Sequence, residues 1–420
     1  MRPFTRIISA SLSPNTDAKD VWIAFRTLVR PWAWVRGKGL RDVDAWFRET
    51  FGVKGTYLYN SGRTALLELL KACAIGAGDE VIVQAFTCVA VPNSVIWSGA
   101  TPVYADIDGT LNIDPRSVES KISAQTKAII VQHTFGIPAE MDKILAIAKA
   151  HNLLLIEDCA HALGATYKGK ALGTFGDAAF FSFGRDKVVS SVWGGAAIVN
   201  PHSRKKDMAS QLERQYGTLP TPSRSWVFRQ LLHPIAFAVI LPLYTSGIGK
   251  LLLVTLQKAG LLSIPVYPQE KKARQPDIFP ARYANGLAEL LIWQLQKLPM
   301  MIDTRRKNVR EYAKALMKLS GDPKRTYRDG AAYLRFPVSV ANPGSLIAKA
   351  KRNGVLLGNW YHNVIDPIGT DFGAVSYTPG SCPRAEEAAR HVINLPTLIT
   401  HDQRSRVYES LEETYERKLD

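Results

Sequence analysis

Between Glu80 and Phe183 the chain repeats one pattern: a short apolar run, a more polar stretch with helical periodicity, then another short apolar run. The runs are Glu80–Val83, Thr101–Asp106, Ala128–His133, Leu153–Ile156 and Ala178–Phe183. Each is too short for a buried helix and has the length of a strand covered on both faces. Met141–Ala150, between two of them, reads as a crossover helix. Strands joined by crossover helices run parallel, so the pattern predicts an α/β fold built on a doubly wound, mainly parallel sheet. Sheets of this kind place their sites at the carboxyl ends of the strands.

Those ends direct attention to His151–Asn200. The run Leu153–Ile156 stops at Glu157 and Asp158, and Ala178–Phe183 carries Ser182 and leads on to Lys187. A carboxylate and a lysine delivered by two strand ends suit pyridoxal chemistry. The lysine holds the cofactor as a Schiff base, and the aspartate pairs with the protonated ring nitrogen. His133 also ends a strand, where a structural and a functional role are both open. Upstream, Asn60–Leu70 reads as a turn feeding a helix. Ser61 and Gly62 precede Thr64 and the apolar positions Leu66, Leu69 and Leu70. A glycine turn at a helix start exposes N–H groups that bind phosphate, although the same pattern also serves as a plain cap.

With 420 residues and 46% hydrophobic content, the chain has material for one large and one small domain. The 53 Lys and Arg against 37 Asp and Glu, net +16, favour anionic partners. Cys73, Cys88, Cys159 and Cys382 form no CxxC pair, which fits reduced thiols better than disulfides or zinc. The first twenty residues carry no apolar core of a signal peptide, and a cytoplasmic location is expected. Trp226–Leu262 carries only Arg229, Lys250 and Lys258 as formal charges. Pro234 and Pro242 interrupt it, so it reads as two short apolar helices rather than a membrane span. Two roles remain open: packing in the core or a dimer interface, or peripheral contact with a membrane, with Trp32 and Trp34 in the basic stretch Arg30–Arg41 contributing. Tyr283–Leu298 and Asp303–Leu319 read as two helices. Strands at Ala332–Val338 and Gly354–Gly358 and helices at Arg384–Arg390 and His401–Leu419 predict a smaller α+β domain.

Taken together, the pieces resemble the DegT/DnrJ/EryC1/StrS family of pyridoxal-phosphate-dependent sugar aminotransferases, from about Gly37 to Leu411. The matching pieces include NSGRTAL (Asn60–Leu66), GDEVIV (Gly78–Val83), GATPVYADID (Gly99–Asp108), TKAIIVQHTFG (Thr126–Gly136), EDCAHALGA (Glu157–Ala165), GTFGDAAFFSF (Gly173–Phe183), GGAAIV (Gly194–Val199) and RRKNVREYAKAL (Arg305–Leu316). The resemblance implies the aspartate-aminotransferase-like fold type I, with a seven-stranded, mainly parallel sheet in a large domain. That domain is expected over residues 1–300, with an apolar insertion at about 220–275, and a small α+β domain over 301–420. It implies pyridoxal 5'-phosphate, no metal, a homodimer, a nucleotide-linked keto sugar and an amino-acid donor, glutamate being expected, and no nucleic acid.

Carried over by position, Lys187 is the cofactor-binding lysine and proton shuttle, and Asp158 the partner of the ring nitrogen. Ser182, Gly62, Arg63 and Thr64 are the phosphate side. His161 stands where the family usually has glutamine against the cofactor's ring oxygen. Cys88 stands where an aromatic usually stacks on the ring, with Phe86 as its alternative. Trp193 replaces a glutamate. Two other readings share these features. One is a sugar dehydratase on the same fold, whose members carry histidine in place of the lysine. The other is a membrane-attached binding or regulatory protein without turnover.

Overall fold

The computed structural model describes residues 7–320 and 327–416. Seven strands build the central sheet: β1 (Thr56–Tyr59), β2 (Glu80–Gln84), β3 (Thr101–Ala105), β4 (Thr126–Gln132), β5 (Leu154–Asp158), β6 (Ala178–Ser182) and β7 (Gly195–Val199). Their order across the sheet is β1-β7-β6-β5-β4-β2-β3. From β3 through β6 all neighbours are parallel, and β7 runs antiparallel to both β6 and β1. The mainly parallel sheet is as the apolar runs predict.

Alternate residues of each run enter different cores, because successive side chains of a strand point to opposite faces. Ile82, Ile129, Val131 and Leu155 join one buried cluster, and Val81, Val83, Ala128, Ile130 and Ile156 join the other. The register aligns Asp158 with Gln132 on one side and with Phe180 on the other. The carboxyl ends of β4 and β5 therefore lie level, and β6 runs two residues further, to Ser182.

Five helices matter for the site: α1 (Ala18–Leu28), α2 (Gly62–Ala72), α3 (Arg224–Ile240), α4 (Ile248–Lys258) and α5 (Asn285–Ser320). The two helices expected at Tyr283–Leu298 and Asp303–Leu319 are one, and α5 runs through Pro299 and across residue 300. A proline removes one backbone donor. Here the buried stripe Leu291, Leu295, Leu298, Ile302 keeps helical spacing across it, and packing carries the helix through. Beyond it, β8 (Arg335–Ser339) and β9 (Val392–Pro396) pair antiparallel. They share a core with Val309, Tyr312 and Leu316 of α5, and with Ile8, whose segment Ile8–Ser9 pairs with Val355–Leu356.

The apolar stretch forms the two helices expected, α3 and α4, closed on each other by Phe237, Ile240, Leu262 and the inner leucines of α4. Its outer side is also apolar: Ile248 is 59% and Leu251 69% exposed. Trp22 and Trp32 are 60% and 70% exposed, whereas Trp34 is buried and donates its indole N–H to the Thr27 carbonyl at 2.7 Å. No helix among the described residues is long and apolar enough to cross a membrane.

Candidate active site

A cavity of about 380 Å³ opens at the carboxyl ends of β5 and β6. Asp158, the last residue of β5, and Lys187, five residues past the end of β6, both line it, with Ser182, His161, Gly62 and Cys88. Asp158 is buried, and its carboxylate accepts one hydrogen bond, from the Ala160 N–H at 2.9 Å. Burial with so few partners pushes this carboxyl up to about 6.

Lys187 points its Nζ at His161 Nε2, 2.9 Å away. His161 Nδ1 accepts the Phe135 N–H at 3.3 Å. Burial, with Lys187 and Arg335 nearby, holds this imidazole well below its usual range, so it is neutral. It lies beside the rings of Phe135 and Tyr361, at centroid distances of 5.9 and 6.2 Å and near-parallel to both.

The peptide around Lys187 is clamped from two remote places. Asn15 Nδ2 donates to the Lys187 carbonyl at 2.8 Å and to the Val188 carbonyl at 2.9 Å. Arg305, fully buried on α5, donates to the Val188 carbonyl at 3.2 Å and to Asn15 Oδ1 at 3.0 Å. Lys297 holds the backbone of Asn15 together with the carboxylates of Asp17 and Asp20.

On the other side of the cavity, the start of α2 meets the end of β6. The Ser61 hydroxyl caps the Thr64 N–H at 3.1 Å, leaving the N–H groups of Gly62 and Arg63 at the open helix end. The approach is close enough to require glycine. A Cβ on Gly62 would lie 2.9 Å from Ser182 Cβ, and one on Gly195 of β7 would lie 2.5 Å from Gly62 N.

Two of the residues expected at the phosphate are used elsewhere. Thr64 is fully buried and donates its hydroxyl to Asn60 Oδ1 at 2.8 Å, so it secures the turn and does not face the cavity. Arg63 reaches the cavity edge, but its guanidinium is ion-paired with the buried Glu270 and donates to the Pro265 carbonyl at 3.0 Å. It lies over the rings of Trp193 and Phe279. The apolar insertion supplies Glu270, and that carboxylate takes up the arginine's charge.

Of the two candidates for the ring-facing position, Cys88 lines the cavity and Phe86 does not. Phe86 is fully buried, edge-on to Phe135 and Tyr361. Burial pushes the Cys88 thiol up to about 11. His133 is also fully buried. It faces Glu157, whose oxygens accept the N–H groups of Gly173, Phe175 and Gly176, and it accepts the Ala139 N–H. That pair braces loops beneath the site.

Sequence reasoning missed Trp360, which lines the cavity 5.8 Å from Lys187 Nζ to ring centroid and is backed by Arg335 at 3.6 Å. Arg335 in turn pairs with Asp186 at 3.0 Å. The available signal was the run Trp360-Tyr361-His362, aromatic and unattached to any periodic segment.

A sequence model of one family matches residues 17–226 and 279–412 of this chain. The chain belongs to the DegT/DnrJ/EryC1/StrS aminotransferase family. The unmatched residues 227–278 contain most of α3 and all of α4. Among relatives, GDP-perosamine synthase of Caulobacter vibrioides is 38% identical over 217 residues, which are 51% of this chain and 57% of that protein. A pleiotropic regulatory protein of Geobacillus stearothermophilus is 29% identical over 383 residues, 89% of this chain and 87% of that one. Among solved structures, S. venezuelae DesV in complex with a ketimine intermediate superposes with a TM-score of 0.70 at 25% identity, covering 94% of each chain. The family fold is the fold type I seen here, a mostly parallel sheet carrying the site at its strand ends.

Proposed function

We propose that this protein is a pyridoxal-phosphate-dependent aminotransferase that moves an amino group from an amino acid, glutamate being the expected donor, to a nucleotide-linked keto sugar. The observation that carries the reading is the shared cavity. It joins a buried carboxylate with one hydrogen-bond donor, Asp158, a lysine, Lys187, and a helix start packed against Ser182. These groups fit the cofactor. Asp158 is a buried carboxylate short of a cationic partner, which a pyridinium nitrogen supplies. Gly62, the open N–H groups of α2 and Ser182 suit its phosphate. Cys88 and His161 border the space for its ring.

When bound, pyridoxal phosphate supplies an electron sink for the donor's α-carbon. The chain's own groups do the rest. Lys187 Nζ would be the base that takes the proton from the donor's α-carbon and returns it at the cofactor's C4′. The Asp158 carboxylate keeps the ring nitrogen protonated, which its buried position strengthens. His161 would donate a ring N–H to the ring oxygen. The clamp of Asn15 and Arg305 fixes the backbone from which Lys187 moves. Purified protein should show a visible band that borohydride reduces and glutamate bleaches, and Lys187→Ala should lack both. Transamination by Lys187→Ala at the wild-type rate would overturn the assignment.

A regulatory role without turnover has one observation in its favour, the name of the Geobacillus relative. Protein that stays colourless after soaking in pyridoxal phosphate supports it. The dehydratase reading is disfavoured by Lys187, since a histidine belongs at that position. We take the division into residues 1–300 and 301–420, a homodimer and a cytoplasmic location as parts of the same proposal. The outer face of α4, with Ile248 and Leu251, and the exposed Trp22 and Trp32 support peripheral membrane contact. Flotation with anionic vesicles that Ile248→Asp/Leu251→Asp abolishes supports it. Unfloated wild type, with a dimer that the same substitutions weaken, places that face between subunits.

A further inference from the structure

Arg185 lies two residues before Lys187 and lines the same cavity. Its Nη2 donates to the Ser263 hydroxyl at 2.6 Å, while its Nε is buried without a hydrogen-bond partner. Ser263 cannot neutralise it. That hydroxyl also accepts the Trp193 indole N–H at 3.0 Å and donates to Gln230 Oε1 at 2.7 Å, so its bonding capacity is used.

The two nearby carboxylates are committed elsewhere, Asp186 to Arg335 and Glu270 to Arg63. No carboxylate among the described residues lies within ion-pair distance of Arg185. Burial lowers its guanidinium to about 10, against the nearby Asp186 and Tyr267 that favour the charge. An arginine kept in a protein wall with neutral partners only is a receptor awaiting an anion, because an unpaired buried charge is costly and a guanidinium matches phosphate oxygens two at a time. The wall carries further positive charge from Lys271, whose Nζ is tied to the Ile368 carbonyl at 2.8 Å. Through Ser263 and Trp193, Arg185 is connected to Arg63 at the start of α2, the side on which Gly62 meets Ser182.

We propose that Arg185, oriented by Ser263 of the insertion, binds a phosphate group in the active-site cavity. The proposal rests on the aminotransferase reading for its two phosphate sources, the cofactor's 5'-phosphate and the diphosphate of the nucleotide sugar. Ser263 and Gln230 both fall in the segment that the family's sequence model does not match. The insertion therefore does more than cover the fold: it holds a cationic side chain at the cavity wall.

The experiment compares ligand pairs that differ only in phosphate. Pyridoxal phosphate and pyridoxal are titrated into wild type, Arg185→Gln, Arg185→Lys and Ser263→Ala, read by visible absorbance. UDP, GDP and dTDP against their nucleosides are titrated into the cofactor-loaded proteins by calorimetry. If the cofactor phosphate is the ligand, Arg185→Gln weakens pyridoxal phosphate at least tenfold and leaves pyridoxal unchanged, with partial recovery in Arg185→Lys. If the substrate diphosphate is the ligand, the diphosphate-to-nucleoside preference falls at least tenfold while the cofactor pair is unmoved.

Unchanged ratios in both pairs overturn the proposal. Should Arg185→Gln not fold, phenylglyoxal labelling of wild type decides. Protection of Arg185 by pyridoxal phosphate or pyrophosphate, but not by pyridoxal, supports the proposal, and equal labelling in all cases overturns it. Failure of wild type to bind pyridoxal phosphate would refute the aminotransferase reading alone, because protection of Arg185 from phenylglyoxal by pyrophosphate needs no loaded cofactor and still tests the proposal.

Discussion

Replacing Asp158 by asparagine should stabilise the cofactor-free protein while disabling the loaded one. Unfolded, this carboxyl ionises near 3.8; buried at the end of β5 with only the Ala160 N–H to serve it, it ionises near 6. Between those values the folded state keeps a proton that the unfolded state has released. Folding stability therefore falls as pH rises through this window, and the loss is complete above about pH 6. A shift of roughly two units at 1.36 kcal/mol per unit makes the cost about 3 kcal/mol at neutral pH.

Asparagine has the same shape, offers the same oxygen to Ala160 and never ionises. Urea unfolding of the cofactor-free proteins, at one protein concentration and at several pH values from 4 to 8, should show Asp158→Asn more stable by about 3 kcal/mol above pH 7. The gap should shrink towards zero near pH 4. With pyridoxal phosphate bound, the order should reverse, because only the wild type gains an ion pair. Equal stabilities at pH 7, or a gap that does not vary with pH, would refute the account of an under-served buried carboxylate.

Other substitutions probe the surround. Glu270→Gln leaves the half-buried Arg63 charge beside two aromatic rings without its carboxylate and should cost about 3 kcal/mol in urea unfolding, much of it recovered in the double variant Arg63→Met/Glu270→Met. Gly62→Ala drives a methyl against Ser182, and the strain of about 1–3 kcal/mol should appear as pyridoxal phosphate affinity lowered about tenfold or more in an absorbance titration. Asn15→Ala deprives the Lys187 and Val188 carbonyls of a shared donor; unfolding should show a loss of about 2 kcal/mol, and kcat should fall with KM little changed.

What the sequence disclosed was what depends on near neighbours. Runs such as Ala128–Val131 declare a strand covered on both faces, and Asp158, Ser182 and Lys187 follow from where such runs stop. What it concealed depends on remote contacts or on a local exception to periodicity. Cys88 and Phe86 have the same parity along the chain, and alternation alone cannot separate them. Phe86 adopts a left-handed backbone (φ 64°), which breaks the alternation and leaves Cys88 at the cavity. Arg63 looks like a phosphate ligand until the insertion, more than 200 residues later, delivers Glu270. Trp360 and Asn15 reach the lysine loop from opposite ends of the sequence, and no window of neighbouring residues contains either contact.

The clamp on the lysine loop also sets a temporal order. Asn15 is made 172 residues before Lys187, and Arg305 follows Val188 by 117 residues. The bond between Asn15 and Arg305 closes a loop of 290 residues. During synthesis the sheet strands through β7 can emerge and pair while the loop carrying Lys187 still lacks one of its two anchors. Contacts so distant in sequence form only after that long closure, at an entropic cost that slows folding. On the proposed function, the backbone that carries Lys187 gains its second anchor only after α5 has left the ribosome, which would make cofactor capture an event of the nearly finished chain.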